Sequence, residues 1–154
     1  MDAPVRYVRS RDGTRIAYTV EGQGPPLVWL TAAIISHVQR YPQLPGVAAY
    51  LAEIAAKRTL IRMDFRGTGM ADRDLEDHGP EAVTDDLEAV VDDLGLRPAD
   101  IVAQGMRVVP AVRFANRRPE SVRTIVFAMP IGPLPVAEPG AGVAGLVELM
   151  RSDW

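Results

Sequence analysis

From residue 27 to residue 128, short apolar runs alternate with stretches whose apolar residues recur at helical spacing. The strand-like runs are 27–30, 59–63, 100–103 and 121–128, and the helical patterns are 47–55, 80–94 and 108–117. Strands that follow one another through helices pair in parallel, and right-handed crossovers place the helices on both faces of the sheet. The sequence therefore predicts an α/β fold with a mostly parallel sheet and helices on both faces.

The chain begins with a different pattern. Residues 5–9 and 15–21 are β-prone, and Arg11-Asp12-Gly13 joins them. An Asp-Gly pair between two such runs is a strong hairpin signal. We therefore expect an antiparallel amino-terminal hairpin at the edge of the parallel sheet.

Composition sets the domain organisation and excludes several classes of function. Residues 1–129 form one partial domain in this interpretation, and residues 130–154, with four prolines near their start, form a proline-rich linker and a short terminal helix. A net charge of -3 gives no electrostatic footprint for nucleic acid, and the absence of cysteine excludes disulfides. No run has the length of a signal peptide core or a membrane span, so we expect a cytoplasmic protein with no membrane partner.

The segment Ala103-Gln104-Gly105-Met106-Arg107 lies where the third strand-like run meets the next helix. A strand-turn-helix at this place carries a nucleophile elbow in many hydrolases, with the pattern G-x-S-x-G and serine on a strained bend. Glycine occupies the serine position here, and it has no side chain that could attack a substrate. Gln104, Gly105 and Met106 are therefore predicted to form a degenerate elbow, and no catalytic residue is assigned.

Several motifs, in order and spacing, resemble the amino-terminal half of α/β-hydrolase-fold proteins. The closest branch is the bacterial one whose hydrolase-like domain is often joined to a nucleotide cyclase or a helix-turn-helix regulator. The resemblance covers the whole chain and implies that the family fold continues into a lid and further strands beyond it. The motifs are Asp12-Gly13-Thr14-Arg15, Gly24-Pro25-Pro26, Ser36-His37, Asp64-Phe65-Arg66-Gly67-Thr68-Gly69, Asp85-Asp86-Leu87 and Arg117-Arg118-Pro119-Glu120.

The resemblance also locates the missing nucleophile. In the family it lies fourteen residues before the proline of an Arg-x-Pro-Glu motif, and counting back from Pro119 gives Gly105. The flanks depart from the family pattern as well, because Arg107 replaces a small residue and Gln104 replaces a common histidine. We expect Gly105 to have a positive φ at a sharp bend, and Arg107 to turn outward because it is too large for a close-packed position.

Histidine positions argue further against a catalytic triad. The order in this fold is nucleophile, acid, histidine, whereas both histidines, His37 and His78, precede the elbow. The resemblance places His37 near the mouth of the family's active site, and Thr31-Ala32-Ala33 replaces a loop that shapes an oxyanion hole. Ala32, Ala33 and His37 are therefore the candidate pocket residues, and a small apolar ligand is the candidate occupant. His78 is interpreted as a loop residue.

Other motifs have simpler interpretations, and no metal or cofactor is predicted. The G-x-G-x-x-G match at 140–145 follows a proline-rich spacer rather than a strand, so it is interpreted as a flexible segment. The Gly67-Thr68-Gly69 turn, although it could cradle an anion, is interpreted as the tight loop of the family, braced by Asp64 and Arg66. The acidic residues of the 80–94 helix are interpreted as a solvated face rather than a metal site; they are Asp85, Asp86, Glu88, Asp92 and Asp93.

Three functional hypotheses follow. The first is a non-catalytic α/β-hydrolase-like module that binds a ligand or regulates. The second is an esterase-like half that a partner chain completes, and the third is a homodimeric scaffold. Because the last strand would leave an unpaired edge, a homo-oligomer is expected, with Ile125, Val126, Phe127 and the 146–150 segment near the contact.

Overall fold

A computed structural model describes residues 3–129 and contains one six-stranded sheet. The strands are β1 (Arg6–Arg9), β2 (Arg15–Glu21), β3 (Pro26–Leu30), β4 (Thr59–Asp64), β5 (Ala99–Gln104) and β6 (Val122–Ala128). The helices are α1 (Val47–Ala55), α2 (Pro80–Asp93) and α3 (Val108–Arg117), and short 3-10 turns cover Ala33–Ile35, Tyr41–Gln43, Gly105–Arg107 and Pro119–Ser121. The strand order across the sheet is β1-β2-β4-β3-β5-β6.

The pairing directions confirm the predicted topology. β1 pairs with β2 and β2 with β4 in antiparallel register, whereas β4, β3, β5 and β6 run parallel to one another. The hairpin register places Val8 opposite Ile16. Because each parallel strand ends at the same edge of the sheet, the loops after β3, β4 and β5 meet there. This carboxyl edge is where ligands bind in open α/β sheets.

Two apolar clusters cover the two faces of the sheet, as the alternation of strands and helices predicts. On one face Val28 and Leu30 of β3 lie in a cluster with α2 and α3. On the other face Leu27 and Trp29 of the same strand pack with α1. Successive side chains of a strand point to opposite faces, so a strand covered on both sides must be apolar at every position. Trp29 is buried, as predicted for a core residue.

Helix α2 begins where the sequence predicts and ends at Asp93, one residue before the end of the predicted 80–94 pattern. It begins at Pro80, whose missing N–H is not needed in the first turn, and Gly95 follows just beyond its end. The predicted linker and terminal helix, the 140–145 glycine motif and the 146–150 contact segment lie outside the described residues. Among residues 3–129, no helix is long and apolar enough to span a bilayer.

Candidate functional site

The elbow segment forms a sharp strand-to-helix turn at the carboxyl edge of the sheet. Strand β5 ends at Gln104, and Gly105 follows with φ +57° before the 3-10 turn leads into α3. Gly105 is buried, whereas Met106 is 63% exposed. The predicted positive φ is confirmed, and the turn therefore has the backbone conformation of an elbow with no side chain at its apex.

Gln104 ties this elbow to the loop after β3. Its side-chain Oε1 accepts a hydrogen bond of 3.3 Å from the backbone N–H of Ala32. A backbone N–H from this loop contributes to the oxyanion hole in hydrolases with a nucleophile elbow. In this chain the Ala32 donor is directed to a neighbouring side chain, which leaves it less available to a substrate oxygen.

Arg107 does not turn outward, so this prediction is wrong. The residue is 8% exposed, and its guanidinium lies 4.1 Å from the centre of the Phe65 ring. Burial lowers the pKa of Arg107 to about 10, although the negative charges of Asp86 and Asp64 oppose that shift. The side chain is accommodated because the Phe65 ring offers it a flat face for a cation–π contact. Among the described residues, its Nε has no hydrogen-bond partner.

Asp64 braces the loop after β4, as predicted. The carboxylate is fully buried and accepts hydrogen bonds of 3.0 Å from Ser36 Oγ and from the backbone N–H groups of Val38 and Met70. A Cβ at Gly69 would lie 2.1 Å from Asp64 Oδ2. The glycine is therefore needed for the close approach of the loop to this carboxylate, which explains the Gly67-Thr68-Gly69 turn without an anion.

Arg66 is the second predicted brace, and it is bound by a buried carboxylate on α2. Its Nη2 donates to Asp86 Oδ1 at 2.7 Å and its Nη1 to Asp12 Oδ2 at 2.7 Å. Hydrogen bonding to Arg66 holds the pKa of Asp12 well below its usual range. The arginine thus joins the turn of the amino-terminal hairpin to α2.

The acidic residues of α2 are not simply a solvated face, so this interpretation is wrong in part. Asp86 is fully buried against Arg66, and Glu88 is only 6% exposed. Glu88 Oε1 accepts a hydrogen bond of 2.9 Å from Arg117 Nη1 on α3. The periodicity could not show that arginines of another element lie over these carboxylates. No group of three side chains within residues 3–129 could hold a metal ion.

A half-open cleft of about 540 Å³ lies between the loop after β3 and the loop after β4. Ala33 and His37 line this cleft, whereas Ala32 does not. Sequence reasoning missed the two arginines of its wall, Arg40 and Arg73, because they lie far apart in the chain with no motif that joins them. The other lining residues are Ile34, Ile35, Ser36, Tyr41, Leu44, Gly67, Thr68, Gly69 and Met70.

His37 is arranged differently from the base of a catalytic triad. Its Nδ1 accepts hydrogen bonds of 3.3 Å from the backbone N–H groups of Gln39 and Arg40. In a triad this nitrogen carries the proton and donates to a carboxylate. Burial lowers the pKa of His37, so the ring is neutral near pH 7 with its proton on Nε2. His78 lies exposed in the loop before α2, next to Gly67.

Comparisons with known proteins agree with this geometry. The AB hydrolase superfamily protein YclE of Bacillus subtilis is 28% identical over 118 residues, which cover 75% of this chain and 38% of YclE. The esterase RhEst1 from Rhodococcus superposes with a TM-score of 0.73 at 26% identity, over 82% of this chain and 46% of its own. The haloalkane dehalogenase DbeA from Bradyrhizobium gives 0.72 at 25% identity, over 86% and 44%. No protein-family profile matches the sequence.

Proposed function

We propose that this chain, which belongs to the α/β-hydrolase fold family, is a non-catalytic module that keeps the binding edge of the fold but not its nucleophile. The main support for this proposal is Gly105, which occupies the apex of the turn between β5 and α3 with φ +57°. The elbow backbone is therefore present, and the atom that would attack an ester carbonyl is missing.

Two further observations support the absence of hydrolysis. The Ala32 N–H is hydrogen-bonded to Gln104, and His37 Nδ1 accepts backbone N–H groups rather than donating to a carboxylate. An oxyanion donor and an oriented base are the groups that would have to serve a nucleophile. A serine introduced at position 105 would therefore not give ester hydrolysis, because a hydroxyl without a base stays protonated and weakly nucleophilic.

The first prediction is that the isolated chain does not hydrolyse esters. With p-nitrophenyl butyrate, the purified protein and its Gly105→Ser variant should give the rate of a heat-denatured sample. Rates are to be measured by nitrophenolate absorbance at matched protein concentration.

His37→Ala and His78→Ala variants provide the control for this assay. Turnover well above the denatured sample that either substitution lowers would overturn the non-catalytic assignment. Turnover that neither substitution changes would be assigned to a contaminant, provided that it separates from the protein on a second column.

A second candidate function is an esterase-like half completed by another chain. The length comparison favours it, because the chain spans less than half of the relatives that it matches. The partner would have to supply the late strands, the acid and the histidine, and also the nucleophile that Gly105 lacks. Ester hydrolysis that appears only on co-expression with a neighbouring gene product would support this candidate.

A third candidate is a homodimeric scaffold. Strand β6 lies at one end of the sheet, and Val126 and Phe127 are 52% and 46% exposed. An unpaired strand edge with apolar side chains favours pairing with a second copy. This association is compatible with the non-catalytic module, because the cleft lies on the other side of β5, by the loops after β3 and β4.

A further inference from the structure

We propose that the cleft between the loops after β3 and β4 binds an aliphatic monocarboxylate, with the carboxylate held by Arg40 and Arg73. The hydrocarbon chain would lie against Ile34, Leu44 and Met70. This inference deepens the proposed function, on which it rests, because it assigns a ligand class to a site with no nucleophile.

The apolar part of the cleft can accept a hydrocarbon chain. Ile34 and Leu44 are each 45% exposed, although large aliphatic side chains are usually buried, and both line the cleft together with Tyr41 and Met70. A volume of about 540 Å³ is within the range of small-molecule sites. Covering these side chains with a ligand would remove apolar surface from water, and each buried methylene contributes about 0.8 kcal/mol.

The polar part of the cleft is positive. Arg40 and Arg73 line it with no acidic residue among the lining side chains. Arg73 Nη2 donates to the Gly69 carbonyl, and neither arginine pairs with a carboxylate of the described residues. Other arginines, such as Arg58 and Arg117, are paired. The two cleft guanidiniums therefore keep donors for an external anion.

The lining favours an anion that two guanidiniums can share. It holds two cationic side chains and no acidic one, so an anionic ligand is favoured over a neutral one. A single carboxylate has two oxygens that can each accept hydrogen bonds from a guanidinium.

His37 adds a donor without adding a charge. Burial lowers the pKa of its imidazole; the negative charge of Asp64 opposes this shift, and the positive charges of Arg40 and Arg73 add to it. Because Nδ1 accepts two backbone N–H groups, the proton lies on Nε2. His37, Arg40 and Arg73 all line the cleft, so the imidazole and the two guanidiniums border the same space.

The test compares octanoate with octanamide, a neutral ligand of nearly the same shape, on the full chain. Binding is to be followed by calorimetry and by the NMR signal of the ¹³C-labelled Met70 methyl group. We expect octanoate to bind at least about tenfold more tightly than octanamide and to shift the Met70 signal. Arg40→Gln and Arg73→Gln should each weaken octanoate binding about tenfold, whereas Arg97→Gln, at an exposed arginine that does not line the cleft, should not.

Several outcomes would overturn the proposal. Equal affinity for octanoate and octanamide would mean that the arginines do not recognise the charge, and an unshifted Met70 signal would place the ligand elsewhere. Failure to saturate at millimolar octanoate would exclude the site. The ligand comparison needs only the parent chain, so it stands even if a variant fails to fold. Octanoate has no ester bond, so this result is independent of whether the chain hydrolyses esters.

Discussion

At the residue scale, Gly105 gives the turn between β5 and α3 the positive φ of a nucleophile elbow but no reactive side chain. A residue with a Cβ pays a steric cost at φ near +57°, and enzymes retain such strain where it directs a nucleophile into a pocket. Glycine adopts this conformation without that cost. A glycine at this position therefore provides no reactive atom and needs no backbone strain, while the turn between β5 and α3 is kept.

Replacing this glycine should destabilise the fold. Gly105→Ala forces a Cβ into the left-handed region, so we expect the free energy of unfolding to fall by about 1 to 2 kcal/mol. Urea unfolding followed by circular dichroism measures this change. Met106→Ala is the matched control at the adjacent exposed position, and it should change stability by less than about 0.5 kcal/mol. A Gly105→Ala variant as stable as the parent would contradict the elbow assignment.

Arg107 shows how a large charged side chain is accommodated at a position where a small residue is expected. Its pKa is lowered to about 10, which still leaves the guanidinium charged at pH 7. The charge is therefore desolvated beneath the elbow, with a stacking contact to Phe65 as partial compensation. The direction of the pKa shift indicates that the cost of burial exceeds the attraction of Asp86 and Asp64.

Removing the charge but keeping the volume should therefore stabilise the protein. Methionine is flexible and packs well against an aromatic ring, so we expect Arg107→Met to raise the free energy of unfolding by about 1 to 3 kcal/mol at pH 7. Arg97→Met, at an exposed arginine, should be close to neutral. A loss of stability in Arg107→Met would show that the contacts with Phe65 and the buried carboxylates outweigh desolvation.

At the element scale, the two edges of the sheet differ. The β1 edge carries the amino-terminal hairpin, which Arg66 ties to α2 through Asp12 and Asp86. The β6 edge pairs only with β5 among the described strands, and its side chains are half-exposed or exposed along its whole length. Strand β1 is an exposed edge as well, but β6 is longer and carries two large exposed apolar side chains, Val126 and Phe127, which favour pairing with another chain.

We expect the full chain to form a homodimer or higher oligomer through β6. Phe127→Lys should shift the population towards the monomer, because a charged side chain on an edge strand opposes edge-to-edge pairing. Val112→Lys places the same charge at an exposed valine of α3 and should leave the association unchanged. Analytical ultracentrifugation across micromolar concentrations measures both, and a parent protein that stays monomeric at high micromolar concentration would refute the association.

At the scale of the whole molecule, some features follow from local sequence patterns, whereas others depend on packing between segments that are far apart in the chain. The order of strands and helices, the antiparallel hairpin and the turn at Gly105 follow from the sequence because local patterns determine them. Strand and helix periods, an Asp-Gly pair and a proline before an apolar stripe act within a few residues. The same local reasoning placed the turn at Gly105 and predicted its positive φ, whereas the assignment of Gln104, Gly105 and Met106 as a degenerate elbow stays a prediction.

Contacts between distant segments were decided only by the tertiary structure. Asp86 and Glu88 are buried because Arg66 and Arg117 from other elements cover them, and helical periodicity carries no information about such partners. Arg107 is buried because Phe65, just after β4, stacks its ring against the guanidinium. Arg40 and Arg73 come together because parallel strands end at one edge of the sheet. Side-chain burial and charge pairing depend on packing between segments far apart in the chain, whereas the elements themselves depend on neighbours along it.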